Sequence, residues 1–143
     1  MLKAINPASL LFDDTRKIVV FKENRSKYTA NNVQQKNVEG YQVDGVLIVK
    51  GQRCDKCLAL PTENKLFLVE LKGSDLPHAC EQIESTIRFL NSHGFNRAIE
   101  ARIVLTKVSG PDLETIQYKS LSRKIRKGGG TLKKECLELE ETV

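Results

Sequence analysis

The 143-residue chain predicts an α/β fold with a mixed central sheet, an antiparallel meander continued by a parallel strand and flanked by helices, and three features carry the prediction. Leu58-Ala59-Leu60 and Leu66-Phe67-Leu68-Val69 are apolar runs of strand length joined by the polar turn Pro61-Thr62-Glu63-Asn64, the pattern of a β-hairpin. Leu76, Ala79, Cys80, Ile83, Ile87 and Leu90 then recur at helical spacing. Arg102-Ile103-Val104-Leu105-Thr106 follows at the distance a helical crossover to a parallel strand requires. The length suits one domain with a real core and is too short for two.

Taken in order, Asn6-Pro7 before Ala8-Ser9-Leu10-Leu11-Phe12 reads as the capped start of a short helix, with proline at its first position. Ile18-Val19-Val20-Phe21 is β-branched and aromatic, hence a strand. Lys22 to Lys36 is polar and carries Arg25, Lys27, Tyr28, Asn31, Asn32, Gln34 and Gln35. It reads equally as a solvated loop or as a nucleic-acid contact, because Arg and Lys neutralise phosphates while Asn and Gln hydrogen-bond bases. Val38 to Val49 is the first strand of the meander, and Lys50-Gly51-Gln52-Arg53 turns it back. After Gly73, Ser74 or Asp75 caps a helix with Pro77 in its first turn that runs to about Ser92, where Gly94 stops it. Ser109-Gly110-Pro111-Asp112 opens a second helix, with Leu113, Ile116 or Gln117, Leu121 and Ile125 as its apolar stripe. Thr131 to Leu139 adds a last strand, and the acidic run Glu138-Leu139-Glu140-Glu141 is expected to fray or to shield it.

The hairpin turn fixes a register. With Leu60 opposite Lys65, counting outward places Ala59 opposite Leu66, Cys57 opposite Leu68 and Asp55 opposite Glu70. Opposed residues share a face, so Asp55, Glu70 and Lys72 project together at the hairpin's open end. A carboxylate closing an apolar strand needs a strong partner, and two carboxylates repel unless a cation lies between them. Lys72 supplies one charge, and a hydrated Mg²⁺, which takes one or two carboxylates, supplies the rest. Asp44 is a rival acid, but with Val49 opposite Cys54 it falls opposite Ala59, several residues from Glu70.

Asp55, fourteen intervening residues and then Glu70-Leu71-Lys72 at the end of an apolar strand, with Gly73 next and Gln82 on the following helix, resemble the signature of the PD-(D/E)xK nuclease superfamily. That is the fold of restriction endonucleases and of archaeal Holliday-junction resolvases. Cys54 stands where the family name has proline, a position the family itself varies. The resemblance spans roughly Val38 to Thr106. It implies a restriction endonuclease-like core and a metal-dependent hydrolysis of phosphodiester bonds, in DNA by preference, leaving a 5′-phosphate and a 3′-hydroxyl. Asp55, Glu70 and the carbonyl of Leu71 would hold Mg²⁺, with Mn²⁺ able to substitute. Lys72 would position or deprotonate the attacking water, and Gln82 would orient the water or the scissile phosphate. A homodimer or larger complex is a further implied partner. The competing reading is a catalytically inactive module of the same fold that binds nucleic acid or protein.

Composition is compatible with both. The hydrophobic fraction of 40% and charged fraction of 29% suit a globular chain. The net charge of +5 points mildly to a polyanionic partner. Lys119, Arg123, Lys124, Arg126, Lys127, Lys133 and Lys134 follow one another with no acid between Lys119 and Lys134, beyond what a helix C-terminus needs, and with Arg25 and Lys27 they are the candidate nucleic-acid surface. Gly128-Gly129-Gly130 would let backbone approach a phosphate. No apolar run reaches membrane-span length and no signal-peptide pattern opens the chain, so the cytoplasm is the expected compartment. Cys54-x-x-Cys57 has a zinc-knuckle spacing without a second ligand pair, and it begins a strand rather than a helix as a redox motif would. Reduced, packed thiols are therefore expected at Cys54, Cys57, Cys80 and Cys136.

Overall fold

The computed structural model describes residues 2–73, 75–106 and 115–143, without the side chain of Lys72. The elements run α1 (Leu2–Ile5), β1 (Leu10–Asp14), β2 (Ile18–Glu23), β3 (Ser26–Asn31), β4 (Val38–Gln42), β5 (Lys56–Leu60), β6 (Lys65–Gly73), α2 (Leu76–Ser92), β7 (Ala98–Leu105), α3 (Ile116–Lys127), β8 (Leu132–Cys136) and β9 (Glu138–Thr142). They form an α/β structure around a mixed six-stranded sheet in the order β1-β4-β5-β6-β7-β8, with a second sheet in the order β2-β3-β9. No helix among the described residues is long and apolar enough to cross a membrane.

Strand alternation sends the two faces of the large sheet into different cores. Cys57, Ala59, Leu66, Leu68, Ala101 and Ile103 meet Leu76, Ala79, Cys80, Ile83 and Leu90 of α2 and Leu121 and Ile125 of α3. Leu58, Leu60, Phe67, Val69, Leu71 and Val104 meet Val19, Phe21, Tyr28, Ala30 and Leu139 of the small sheet. Burial on both faces explains why β6 reads as an almost unbroken apolar run. The pairs β6–β7 and β7–β8 are parallel. Two consecutive crossovers of the same hand, stepping in the same direction, place α2 and α3 on one side of the sheet.

The hairpin register is the expected one: Leu60 pairs with Lys65, Ala59 with Leu66 and Cys57 with Leu68. The helix after Gly73 is capped by Asp75, whose carboxylate accepts from the His78 N–H. Ile18 to Phe21 lies in β2, and the strand expected at Arg102 begins earlier, at Ala98.

Other expectations are corrected. Asn6 does cap, but only a single 3-10 turn, Pro7–Ser9, after which Leu10–Asp14 is strand β1 rather than helix. That stretch has one turn's worth of apolar residues and pairs with β4, so tertiary pairing overrides a marginal helix. The polar run from Lys22 to Lys36 is loop only at residues 24–25 and 32–36: between them it contains β3, whose Tyr28 and Ala30 are fully buried. The meander strand stops at Gln42 instead of Val49, because Val43–Ile48 folds into a tight loop with Gly45 at φ 79°. Glu39 therefore pairs with Ala59, a position the longer strand would have given to Asp44. The capping residues Ser109 and Asp112, and Leu113, lie outside the described residues. Within α3, Ile116 is 83% exposed, and Tyr118 joins Leu121 and Ile125 in the stripe instead.

The last expected strand is two strands broken at Leu137, and the acidic run does not fray. It forms β9, parallel to β3, and Glu141 accepts from Arg102 Nε (2.7 Å) and from the Tyr28 hydroxyl (2.8 Å). Arg102 and Glu100 are also buried, and Glu100 accepts from the Thr131 N–H and hydroxyl. This network carries charges into the seam between the sheets with their hydrogen bonds satisfied.

Candidate active site

Asp55 stands one residue before β5, where Lys56 pairs with Val69, and this places it opposite Glu70. Both residues have the parity of the helix-facing positions Cys57 and Leu68, so their carboxylates project toward α2. Asp55 is 2% exposed and Glu70 is 1% exposed. The Asp55 N–H donates to the Val69 carbonyl (3.1 Å), and the Leu71 N–H donates to Asp55 Oδ2 (2.7 Å). The Asp55 carboxylate thus takes the place of the next backbone carbonyl where the two strands part.

β6 also changes its pairing at this point. Glu70 is opposite Ile103 and Gly73 is opposite Leu105, so three steps along β6 match two along β7. The extra residue is a bulge across Leu71-Lys72, a device that re-aims side chains at the end of a ladder. Lys72 lies within β6 at this bulge. Nothing in the spacing of the tripeptide announced it.

Gln82, one turn and a half into α2, reaches back toward the same strand end. Its Nε2 donates to the Arg53 carbonyl (3.3 Å). Thr86, one turn further on, is the residue that sequence reasoning missed. Its hydroxyl accepts from the Cys54 N–H (2.9 Å) and donates to the Gln82 carbonyl (2.8 Å), pinning α2 to the segment that carries Asp55. Its only sequence signal is the four-residue spacing from Gln82, which puts both on one helix face. His78 is exposed.

The shorter β4 brings Asp44 to this end of the sheet after all. Its N–H donates to the Asp55 carbonyl (3.2 Å), so the register argument that set it several residues away does not hold. Its carboxylate accepts from Arg53 Nε (2.8 Å).

The thiols around the site are inert. Cys54 is buried beside Glu70 and Asp55; burial pushes its thiol well up, the Thr86 hydrogen bond opposes this, and the charge of Glu70 adds to the rise. Burial also raises Cys57 strongly and pushes Cys80 up to about 12. All four cysteines are free.

The candidate cations divide by position. The bulge in β6 and Leu105 of β7 mark one end of the parallel strands. Arg25 and Lys27, with Lys22, line a cleft of about 530 Å³ together with Thr106, just beyond β7, at that same end. Lys27 pairs with Glu138 at 3.0 Å. α3 runs away from that end toward Ile99, so Lys119 lies in its first turn and Arg123, Lys124, Arg126 and Lys127 lie progressively farther off. All five are exposed, and Lys124 holds Glu84 at 2.5 Å. Lys133 is exposed on β8 and Lys134 is half-buried over the Tyr118 ring. The glycine turn after α3 serves packing at its last residue. A Cβ on Gly130 would stand 1.7 Å from the Ile99 carbonyl oxygen, so Gly130 is there for contact with β7 rather than with a phosphate.

Among the described residues no group of three or more His, Cys, Asp or Glu side chains is placed to hold a metal ion. Mg²⁺ requires less: one or two carboxylates and its own waters. Two buried, opposed carboxylates form a hard oxygen donor set that fits it, with Asp55 held in place by the Leu71 N–H. No protein-family model, no curated protein and no solved structure matches this chain.

Proposed function

We propose that the protein is a metal-dependent nuclease with its reaction centre at Asp55, Glu70 and Lys72. The observation that carries the reading is the pair of buried carboxylates, opposed across β5 and β6 where β6 bulges at Leu71-Lys72. Burying two acids side by side costs stability unless a cation is part of the design. Paired carboxylates desolvated at a strand end are the arrangement from which reaction centres are built. The topology also supports the restriction endonuclease-like core that the resemblance implies: an antiparallel meander β4-β5-β6 continued in parallel by β7, with α2 as crossover.

In this reading Asp55 and Glu70, with the Leu71 carbonyl, hold Mg²⁺. When bound, the ion lowers the pKa of its water and offsets charge growing on the phosphate. Asp55 is aimed by the Leu71 N–H, and α2 is fixed against Arg53 and Cys54 by Gln82 and Thr86. Lys72 orients the attacking water and balances the phosphate charge, as a lysine in a partly desolvated site is suited to do. Gln82 lies close enough to that strand end to orient water or phosphate. Lys22, Arg25 and Lys27 offer phosphate contacts at the same end of the sheet, with Lys119 the nearest contributor from α3. The substrate class is DNA.

The test is incubation of the purified protein with plasmid and single-stranded DNA in Mg²⁺, Mn²⁺ or EDTA. Cleavage that needs the metal and falls at least about a hundredfold in Lys72→Ala and Glu70→Gln, with DNA binding retained, is the expected result. Cleavage by Lys72→Ala at the wild-type rate refutes the assignment. Binding without cleavage under every metal condition leaves the inactive binding module as the correct description.

A further inference from the structure

β2 is the outermost strand of the three-stranded sheet, and among the described residues it pairs only with β3. The Asn32 N–H donates to the Lys17 carbonyl (2.7 Å), and the register continues unbroken from Ile18 opposite Asn31 to Glu23 opposite Ser26. Hydrogen-bonded pairs alternate along an antiparallel ladder. The backbone groups of Lys17, Val19, Phe21 and Glu23 therefore turn toward β3, and those of Ile18, Val20 and Lys22 turn outward. The same residues present their side chains on the outer face, where Ile18 is 58% and Val20 is 52% exposed. Of the usual guards of a free edge the strand carries only the charges of Lys22 and Glu23 at one end: it holds no proline and no bulge, and its inward-facing Val19 and Phe21 are apolar.

We propose that β2 is a homodimer interface, pairing antiparallel with β2 of a second copy about a two-fold axis through Val20. The outward backbone groups fix the register to steps of two residues. Setting Val20 opposite Val20 of the second copy matches all three residues with outward groups, Ile18 lying opposite Lys22 at both ends. Lys17 then lies opposite Glu23, an ion pair repeated by the symmetry. A shift of one step in either direction matches only two of the three outward residues and removes the Lys17–Glu23 pairing. The central register alone keeps all three matches and the Lys17–Glu23 pairing. It joins the two small sheets into one of six strands in the order β9-β3-β2-β2-β3-β9. Ile18 and Val20 of both copies form a continuous apolar strip on its outer face, covered at each end by the aliphatic stem of Lys22.

The register makes the test specific. In a hydrogen-bonded antiparallel pair the two Cα atoms lie about 5.5 Å apart, within disulfide range. Under mild oxidation Val20→Cys becomes a disulfide-linked dimer, whereas Ile18→Cys, with Lys22 opposite, and the wild type do not. By light scattering the wild type has twice the monomer mass. Val20→Lys, which sets two ammonium groups face to face, has the monomer mass, as does Lys17→Glu, and adding Glu23→Lys to the latter restores the dimer. A wild type that stays monomeric at every concentration overturns the proposal. So does a Val20→Lys dimer, or an Ile18→Cys protein that cross-links as readily as Val20→Cys.

Discussion

Asp55 shows how one side chain can serve fold and chemistry together. Its Oδ2 accepts the Leu71 N–H where the β5–β6 ladder has run out of carbonyls, so the carboxylate satisfies a buried donor as well as facing Glu70. The two roles separate by substitution. Asp55→Asn keeps an acceptor for Leu71 and is expected to stay close to wild-type stability in urea unfolding while losing cleavage. Asp55→Ala strands the N–H and is expected to cost about 1–3 kcal/mol in the same measurement. The buried thiols make a second residue-scale prediction. Cys54, Cys57 and Cys80 have their thiols raised above the ordinary value of 9.0, chiefly by burial. Above about pH 9 the unfolded chain releases these protons while the folded chain retains them, so the unfolded state binds fewer protons. Stability is therefore fully present below pH 9 and falls as pH rises beyond it, a decline that urea titrations across that range would record. At pH 8 a thiol reagent is expected to label Cys136 first, since it alone is only half-buried.

At the scale of elements, the hairpin, α2 and the crossover to β7 were legible because each is governed by a local signal: a four-residue turn, a 3.6-residue apolar period with Asp75 and Pro77 at its head, and a spacing. Asp55 and Glu70 are placed by counting from that turn, which is why their opposition is legible in the sequence. The elements misread are those set by distant partners. Leu10–Asp14 has too little sequence to choose helix over strand until β4 lies beside it. Ser26–Asn31 looks like a polar loop because its alternation hides Tyr28 and Ala30 against the large sheet and needs β9 on its other side. The bulge at Leu71-Lys72 was illegible because it arises from the mismatch between β6 and β7, which no single strand encodes. The turn between α3 and β8 offers an element-scale test. Gly128→Ala meets only the Ile125 carbonyl at 3.5 Å and is expected to be tolerated. Gly130→Ala drives a methyl into the Ile99 carbonyl and is expected to shift the turn off β7, lowering stability by several kcal/mol in thermal or urea unfolding.

For the whole molecule, the seam between the two sheets matters as much as either core. Arg102 is 3% exposed and joins Glu100, Glu141 and the carbonyls of Ala101 and Thr131 across β7, β8 and β9. Arg102→Met removes the buried cation between Glu100 and Glu141, leaving Lys133 at 3.5 Å to face Glu141, and is expected to cost about 3–5 kcal/mol, because the buried Glu100 and the partly buried Glu141 lose their main counter-charge. Calorimetry would show it, together with a partial recovery on lowering the pH toward the carboxylate range. The network was hidden in the sequence, since Glu141 reads as part of an acidic tail until β9 docks beside β3. That docking also sets an order of events during synthesis. β3 meets a partner more than a hundred residues later in the chain, so when the ribosome has delivered β2, β3 and even the whole large sheet, the small sheet is still one strand short. Until β9 emerges, Arg102 has no Glu141 and β3 presents an open edge. The nascent protein is thus most exposed to misassociation in the interval before β9 emerges, and β9 acts as the latch that closes it.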